Sequence, residues 1–446
     1  MSILNVGYGR TDISPKESVP MGGYGNSAKR LSESVLNPLA ATCLAFTDEK
    51  GETALVYALD LTSASTSWTT RLAPAISKAT GVPEDHIFAS GSHNHNSPDT
   101  GNKEFDSIAR YMDLLEAQMI EAAKQALADR SEAKMFTAAT ETKGMNFVRR
   151  YILEDGTPAG DNYGHFAESP IKCHESDADN VMQFVKFVRE GKKDIVMVNF
   201  QTHPHRMGNG GKSLEISSDI VGVMRDETEK QLGCLFAYFT GGSGNVNPRS
   251  RVDAENIYHD HWEHGKAMAD VAVSVEDRYV PVETGEVKVN WNVVNAKVNH
   301  SWDDRLDDAK YISENYKATG DRPTWTAEAK KLGFNSVYHA AAIIRHSEGP
   351  ESRDVHLGGL AIGDVAFAVA PYEMFDTNGK FIKENSPFKT TFVLTCANYP
   401  TKSFGYVPSA LGFKNGGYST DNCWFYPGAG ETFAESLLDG LKKIAE

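Results

Sequence analysis

Apolar positions along the chain follow two alternating rhythms. Short β-branched runs read as strands, and longer runs with three- and four-residue spacing read as helices. ATCLAFTD (41–48) and ETALVYALDL (52–61) flank the turn-like EKG and predict a hairpin. VMQFVKFVR (181–189) and DIVMVNFQTH (194–203) flank EGKK and predict a second one. STSWTTRLAPAISKATG (65–81) is helical and ends at glycine. DSIARYMDLLEAQMIEAAKQALADR (106–130) has the clearest amphipathic spacing. Further helices are expected near 219–232, over about 259–277 and in the tail ETFAESLLDGLKKIAE, with the strand CLFAYFT (234–240) between the first two. This alternation predicts an α/β fold of mixed β-sheets flanked by helices. No linker composition interrupts it, so residues 1–446 read as a single domain. The more charged stretch 301–350 reads as a possible helical insertion.

Five apolar strands end in the same manner. HIFASGS leads into His93 and His95, and DIVMVNFQT into His203 and His205. CLFAYFTGG leads into Ser243, Asn245 and Asn247, VAFAVAP into Glu373, and TTFVLTCAN into Tyr399 and Tyr406. Strand ends along one edge of an α/β sheet form the crevice where ligands bind. If these five ends meet, they supply imidazole nitrogen and carboxylate oxygen without sulfur, a set that suits zinc. Residues i and i+2 of an extended segment share a face, so both rings of an HxH pair can reach one site. Either HxH pair alone also fits a solvated turn.

Two further clusters carry chemistry. YHDHWEHG (258–265) holds His259, His261, Glu263 and His264, as a metal cluster or a polar helix face; it lacks the HExxH spacing. FTGGSGNVNP (239–248) is glycine-rich but carries neither a P-loop lysine nor a GxSxG elbow around Ser243. It is a close-approach loop or a simple turn. Arg149 and Arg150 in NFVRRYILEDG can each fork onto a carboxylate or phosphate, or serve a salt bridge.

Composition narrows the classes. Lys plus Arg is 45 and Asp plus Glu is 60, a net charge of −15. An acidic chain without basic blocks is unsuited to nucleic acid and is repelled by anionic membrane surfaces. The five cysteines are scattered and form no CxxC pair, which excludes a cysteine-rich zinc module. No apolar run approaches the ~18 residues of a membrane span. MSILNVGYGRTDISP lacks a basic region followed by a long apolar stretch, so the chain as it stands reads as cytoplasmic. A secreted or periplasmic protein whose signal peptide had been removed would look the same.

In order along the chain, VGYGRTDISP and MGGYG, LDLTS, GSHNHNSP, FVRRY, VNFQTHP, GGSGNVNPR, PYEMF and SFGYVPS resemble motifs of the neutral, non-lysosomal ceramidase family in its catalytic domain. The resemblance implies a zinc hydrolase with His93, His203, Glu373 and Tyr406 as Zn2+ ligands. It implies His95 beside the attacking water and Arg149 or Arg150 facing the substrate. There are two departures. Asn247 stands where the family carries a functional serine, which puts ceramide itself in doubt as substrate. The family's C-terminal β-domain has no counterpart in residues 1–446.

The expected reaction is metal-assisted hydrolysis of an amide in a small-molecule or lipid-like substrate. His95 would handle the proton, and Asn247 or backbone N–H groups would steady the oxyanion. Asp60, Asp219 and His205 would orient the ligand histidines. A hydrolase of esters, lactones or phosphate or sulfate esters, and a non-catalytic binding protein on the same scaffold, are the alternatives.

Overall fold

The first predicted hairpin forms, with Ala40–Asp48 antiparallel to Thr53–Leu59. The second forms from Val181–Arg189 and Ile195–Phe200. The computed structural model describes residues 3–25, 27–65, 67–160, 169–208, 211–252, 255–398 and 404–446. Both hairpins belong to one nine-stranded sheet. From one edge its strands run Leu235–Thr240, Ile195–Phe200, Val181–Arg189, Ser131–Glu141 and Leu4–Asp12, then Ala40–Asp48, Thr53–Leu59 and Ile87–Gly91. The short strand Val280–Val282 also pairs with Ser131–Glu141. A four-stranded sheet follows the order Val287–Lys297, Ser352–Ile362, Val365–Val369, Thr390–Leu394.

Period-two alternation shows how these layers stack. In Ala40–Asp48, Leu44 and Phe46 join one core while Ala41, Cys43 and Ala45 join another. In Val365–Val369, Phe367 faces the first of these cores while Ala366 and Ala368 face a third. Phe46, Phe187, Phe239, Phe367 and Phe392 therefore meet between the two sheets. The outer face of the large sheet is covered by helix Asp106–Ala128 at one end and by Asp219–Leu232 and His261–Ser274 at the other. The small sheet is backed by Ala429–Ala445. The result is four layers, helix, sheet, sheet, helix. Strands buried on both faces explain why their sequences are near-continuous apolar runs.

Residues 301–350 carry helices Leu306–Thr319, Arg322–Lys331 and Val337–Ser347 around a small apolar cluster that includes Ile312, Phe334 and Ile343. Among the described residues, no helix is long and apolar enough to cross a membrane.

The edge strands Ile87–Gly91 and Leu235–Thr240 lie at opposite ends of the large sheet's strand order, yet they meet. Thr240 Oγ1 donates to Ser92 O at 2.6 Å. Segment 390–398 closes the seam from the second sheet. Asn398 Oδ1 accepts from Ala89 N at 2.7 Å, and Ser90 Oγ donates to Thr395 O at 2.8 Å. Thr395 Oγ1 donates to Gly241 O at 2.9 Å. Buried Asn199 ties the sheets together, donating to Phe239 O and Val393 O and accepting from Val393 N. Replacing it strands buried backbone groups, each costing about 1–3 kcal/mol. Asn199→Ala is expected to lose about 3 kcal/mol in urea unfolding; a loss below about 1 kcal/mol would refute this role for the tie.

Candidate metal centre

His93 and His95 follow strand Ile87–Gly91. The backbone does not stay extended as alternation would require. His93 sits at φ 66°, a left-handed conformation in which His is enriched among non-glycine residues. The kink still brings both rings to one place, with centroids 5.0 Å apart. His203, three residues past Ile195–Phe200, comes within 4.5 Å of His93 by ring centroids. One ring nitrogen from each of His93, His95 and His203 lies within 4.8 Å of the others, and all three side chains are buried. This buried trio can hold a metal.

Glu373 completes the group. Its Oε2 stands 3.2 Å from His93 Nε2 and 3.3 Å from His203 Nε2. The far nitrogens set the tautomers. His93 Nδ1 meets Thr62 O at 2.8 Å, and His203 Nδ1 meets Ser243 O at 2.6 Å. A carbonyl only accepts, so each Nδ1 carries a proton, and the Nε2 of a neutral ring presents a lone pair to the carboxylate. Two lone pairs facing one carboxylate oxygen repel unless a cation lies among them. Burial drives the imidazoles toward neutrality. His203 and His95 are pushed well down, helped by neighbouring cations. For His93 burial is outweighed by Cys396 and Glu373, which raise it. Burial alone would raise the Glu373 carboxyl, but the flanking His93 and His203 rings hold it well below the ordinary range. A proton on His93 relieves one contact and leaves the other, whereas a divalent cation relieves both. The residues therefore fit a metal.

His95 differs from its neighbours. Both its ring nitrogens are buried without a hydrogen-bond partner. Packing alone positions the ring, with Tyr24 edge-on at 4.9 Å. Gly23 lies against it at φ 88°, and a Cβ there would sit 2.3 Å from the ring.

Tyr406 pairs in register with Glu373 through the parallel strands Tyr406–Val407 and Glu373–Met374, so the two side chains emerge together. Burial and the Glu373 carboxylate push its hydroxyl well up. Arg149 Nη2 donates to this hydroxyl at 3.0 Å and to Gly244 O at 2.7 Å. Asn247 Oδ1 accepts from His205 Nε2 at 3.0 Å and, at the limit of range, from Arg149 Nη1 at 3.5 Å. His205 is itself pushed down to about 4, by burial first and then by Arg149. The glycine-rich loop is a close-approach loop here: a Cβ on Gly244 would meet Glu373 O at 2.7 Å.

Several expected placements change. Arg150 does not join the cluster; its buried guanidinium pairs with Glu175 at 2.8 Å and donates to Gly412 O and Gly416 O. Asp60 holds Arg225 at 2.7 Å, and Asp219 accepts from the backbone of Arg206, Met207 and Ile220. Neither holds His93 or His203 in place; the carbonyls of Thr62 and Ser243 fill that role. A backbone carbonyl leaves no side-chain signal, although LDLTS and GGSGN did mark both places. Cys396 Sγ stands 3.2 Å from His93 Nδ1. The second histidine cluster is a helix start. Asp260 accepts from Glu263 N while Glu263 accepts from His259 N. His264 is buried against Tyr258, and burial pushes it down to about 3. Tyr399 lies outside the described residues.

No family model and no curated protein matches this sequence. Solved structures do. The chain resembles a ceramidase complexed with C2, at 14% identity and a TM-score of 0.71, over 99% of this chain and 75% of that one. It likewise resembles the neutral ceramidase from Pseudomonas aeruginosa, at 15% identity and a TM-score of 0.70, over 99% and 74%. At this identity the likeness speaks for the fold, and the fold is ceramidase-like.

Proposed function

We propose that this chain is a zinc-dependent hydrolase of amide (N-acyl) bonds in small or lipid-like substrates. The observation that carries it is the pair of imidazole Nε2 atoms converging on one oxygen of Glu373. His93, His203 and Glu373 would hold the ion, with Tyr406 beside Glu373 as the fourth ligand. The nitrogen and oxygen donors favour zinc, and the Cys396 thiol lies on the far side of His93, away from the cluster. A zinc ion bound here would polarise the scissile carbonyl and lower the pKa of water to about 7.

The other residues divide the remaining work. His95, kept neutral by burial, has the lone pair needed to take a proton and pass it to the leaving nitrogen. Both donors to Asn247 point at Oδ1, so its amide NH2 is the group left to meet a substrate oxyanion. Arg149, anchored on Gly244 O, adds fixed positive charge at the same wall. The activity named for the structural neighbours supports an N-acyl substrate. Asn247 in place of a serine argues for one other than ceramide.

Metal analysis with an N-acyl amide panel tests the assignment. His93→Ala and His203→Ala are expected to lose bound zinc and activity together. His95→Ala is expected to keep zinc and lose about 10²–10⁴ in kcat. A purified protein without zinc, with hydrolysis unaffected by chelator, would sink the proposal. Asn247→Ala should lower kcat by about 10²–10³ at nearly constant KM. Gly23→Ala tests the packing of His95: it should reproduce the His95→Ala loss with zinc retained, and near-normal kcat would remove His95 from the proton path.

A further inference from the structure

A cavity of about 610 Å3 opens between helices Leu306–Thr319 and Val337–Ser347 and the start of strand Ser352–Ile362. Its size falls within the ~300–1,000 Å3 range of small-molecule sites. Trp424 forms one wall. Two arginines converge on that indole, Arg345 at 5.0 Å and Arg353 at 4.5 Å from the ring centroid. Arg353 also stacks on Phe404 at 4.2 Å. Lys317 adds a third cation, and Glu348 is the one carboxylate of the lining. Glu348 is shared with Lys310, 3.7 Å away. On a chain of net charge −15 this lining is a local reversal of sign.

The arginines are held at a cost. Arg345 Nη2 donates to Asn422 O at 3.2 Å, but its Nε is buried without a hydrogen-bond partner. Burial and the Arg345 charge together push Arg353 down to about 10. Like charges packed against one indole repel, and an anion between them would offset that repulsion. Ile344 and Pro350 supply an apolar flank beside the guanidinium groups.

We propose that this cavity binds a small-molecule oxyanion, a phosphate or carboxylate carried on an apolar or aromatic body. The geometry that points to it is the convergence of Arg345, Arg353 and Lys317 on a cavity walled by Trp424. The site is distinct from the metal centre. The ring of Tyr418 stands 5.7 Å from that of Tyr406 and 4.9 Å from that of Tyr338 on helix Val337–Ser347, so aromatic rings separate the two. It does not rest on the amide-hydrolase reading.

The test titrates phenyl phosphate, benzoate and inorganic phosphate into the full chain at constant ionic strength, by calorimetry and tryptophan fluorescence. EDTA treatment beforehand keeps the anions from reporting a metal. Saturable binding is expected, tighter for an aromatic oxyanion than for inorganic phosphate. The tighter of phenyl phosphate and benzoate identifies the oxyanion. Arg345→Gln should weaken it roughly tenfold. Lys317→Gln, at an exposed position that folding does not need, should weaken it about threefold. Trp424→Phe should remove the fluorescence change and keep the heat. No saturable binding of any of the three probes would overturn the proposal, and so would affinities unchanged in both charge variants.

Discussion

The candidate centre depends on a meeting of opposite edges. His93 follows the last strand of the large sheet, and the Ser243 loop follows the first. In a flat sheet these would stand at opposite ends. Twist curls the sheet, and segment 390–398 fills the seam with side chain to backbone hydrogen bonds at Ser90, Thr240, Thr395 and Asn398. Cys396 and Asn398 adopt positive φ within that seam, which lets one short segment bond to both edges. Burial between the sheets stabilises the closure, since Phe239 and Phe392 from the two sheets share one core.

Once the edges meet, the electrostatics follow from hydrogen-bond valence. Thr62 O and Ser243 O are acceptors only, so they hold a proton on Nδ1 of His93 and His203 and turn each Nε2 toward Glu373. The Nε2 lone pair of a neutral ring cannot satisfy Glu373, and its Oε2 is buried without a hydrogen-bond partner among the described residues. A cluster satisfied on its outer side and unsatisfied on its inner side fits a cation. His95 has no carbonyl behind it, so its tautomer is free. That asymmetry separates a residue able to exchange a proton from residues whose protons are committed.

Much of this architecture was legible in the chain. Both hairpins, helix 106–128 and the polar residues ending apolar strands appear where periodicity put them, because burial on defined faces dictates those patterns. The meeting of strand ends was not legible, since it depends on side chain to backbone bonds between residues some three hundred positions apart. The same limit applies to Arg149 and Arg150. Adjacent residues point apart, and only the tertiary partner, Tyr406 or Glu175, shows which one faces the centre. The HxH pair reached one site for a different reason than alternation, through a positive φ at His93 that no local pattern announces.

Asn247 is where chemistry and fold pull hardest on one another. Its strand, Val246–Asn247, pairs with Phe147–Val148, which carries Arg149 at its end. His205 binds the same amide oxygen, so Asn247 links the segment after Ile195–Phe200 to the strand pair that carries Arg149. A serine there would offer one hydroxyl able to donate, accept or attack. The asparagine offers an oxygen engaged by His205 and Arg149 and an NH2 that only donates. A site so furnished can stabilise negative charge but cannot form a covalent intermediate at this position. Chemistry here would therefore depend on an external nucleophile, and Asn247 would act on charge alone.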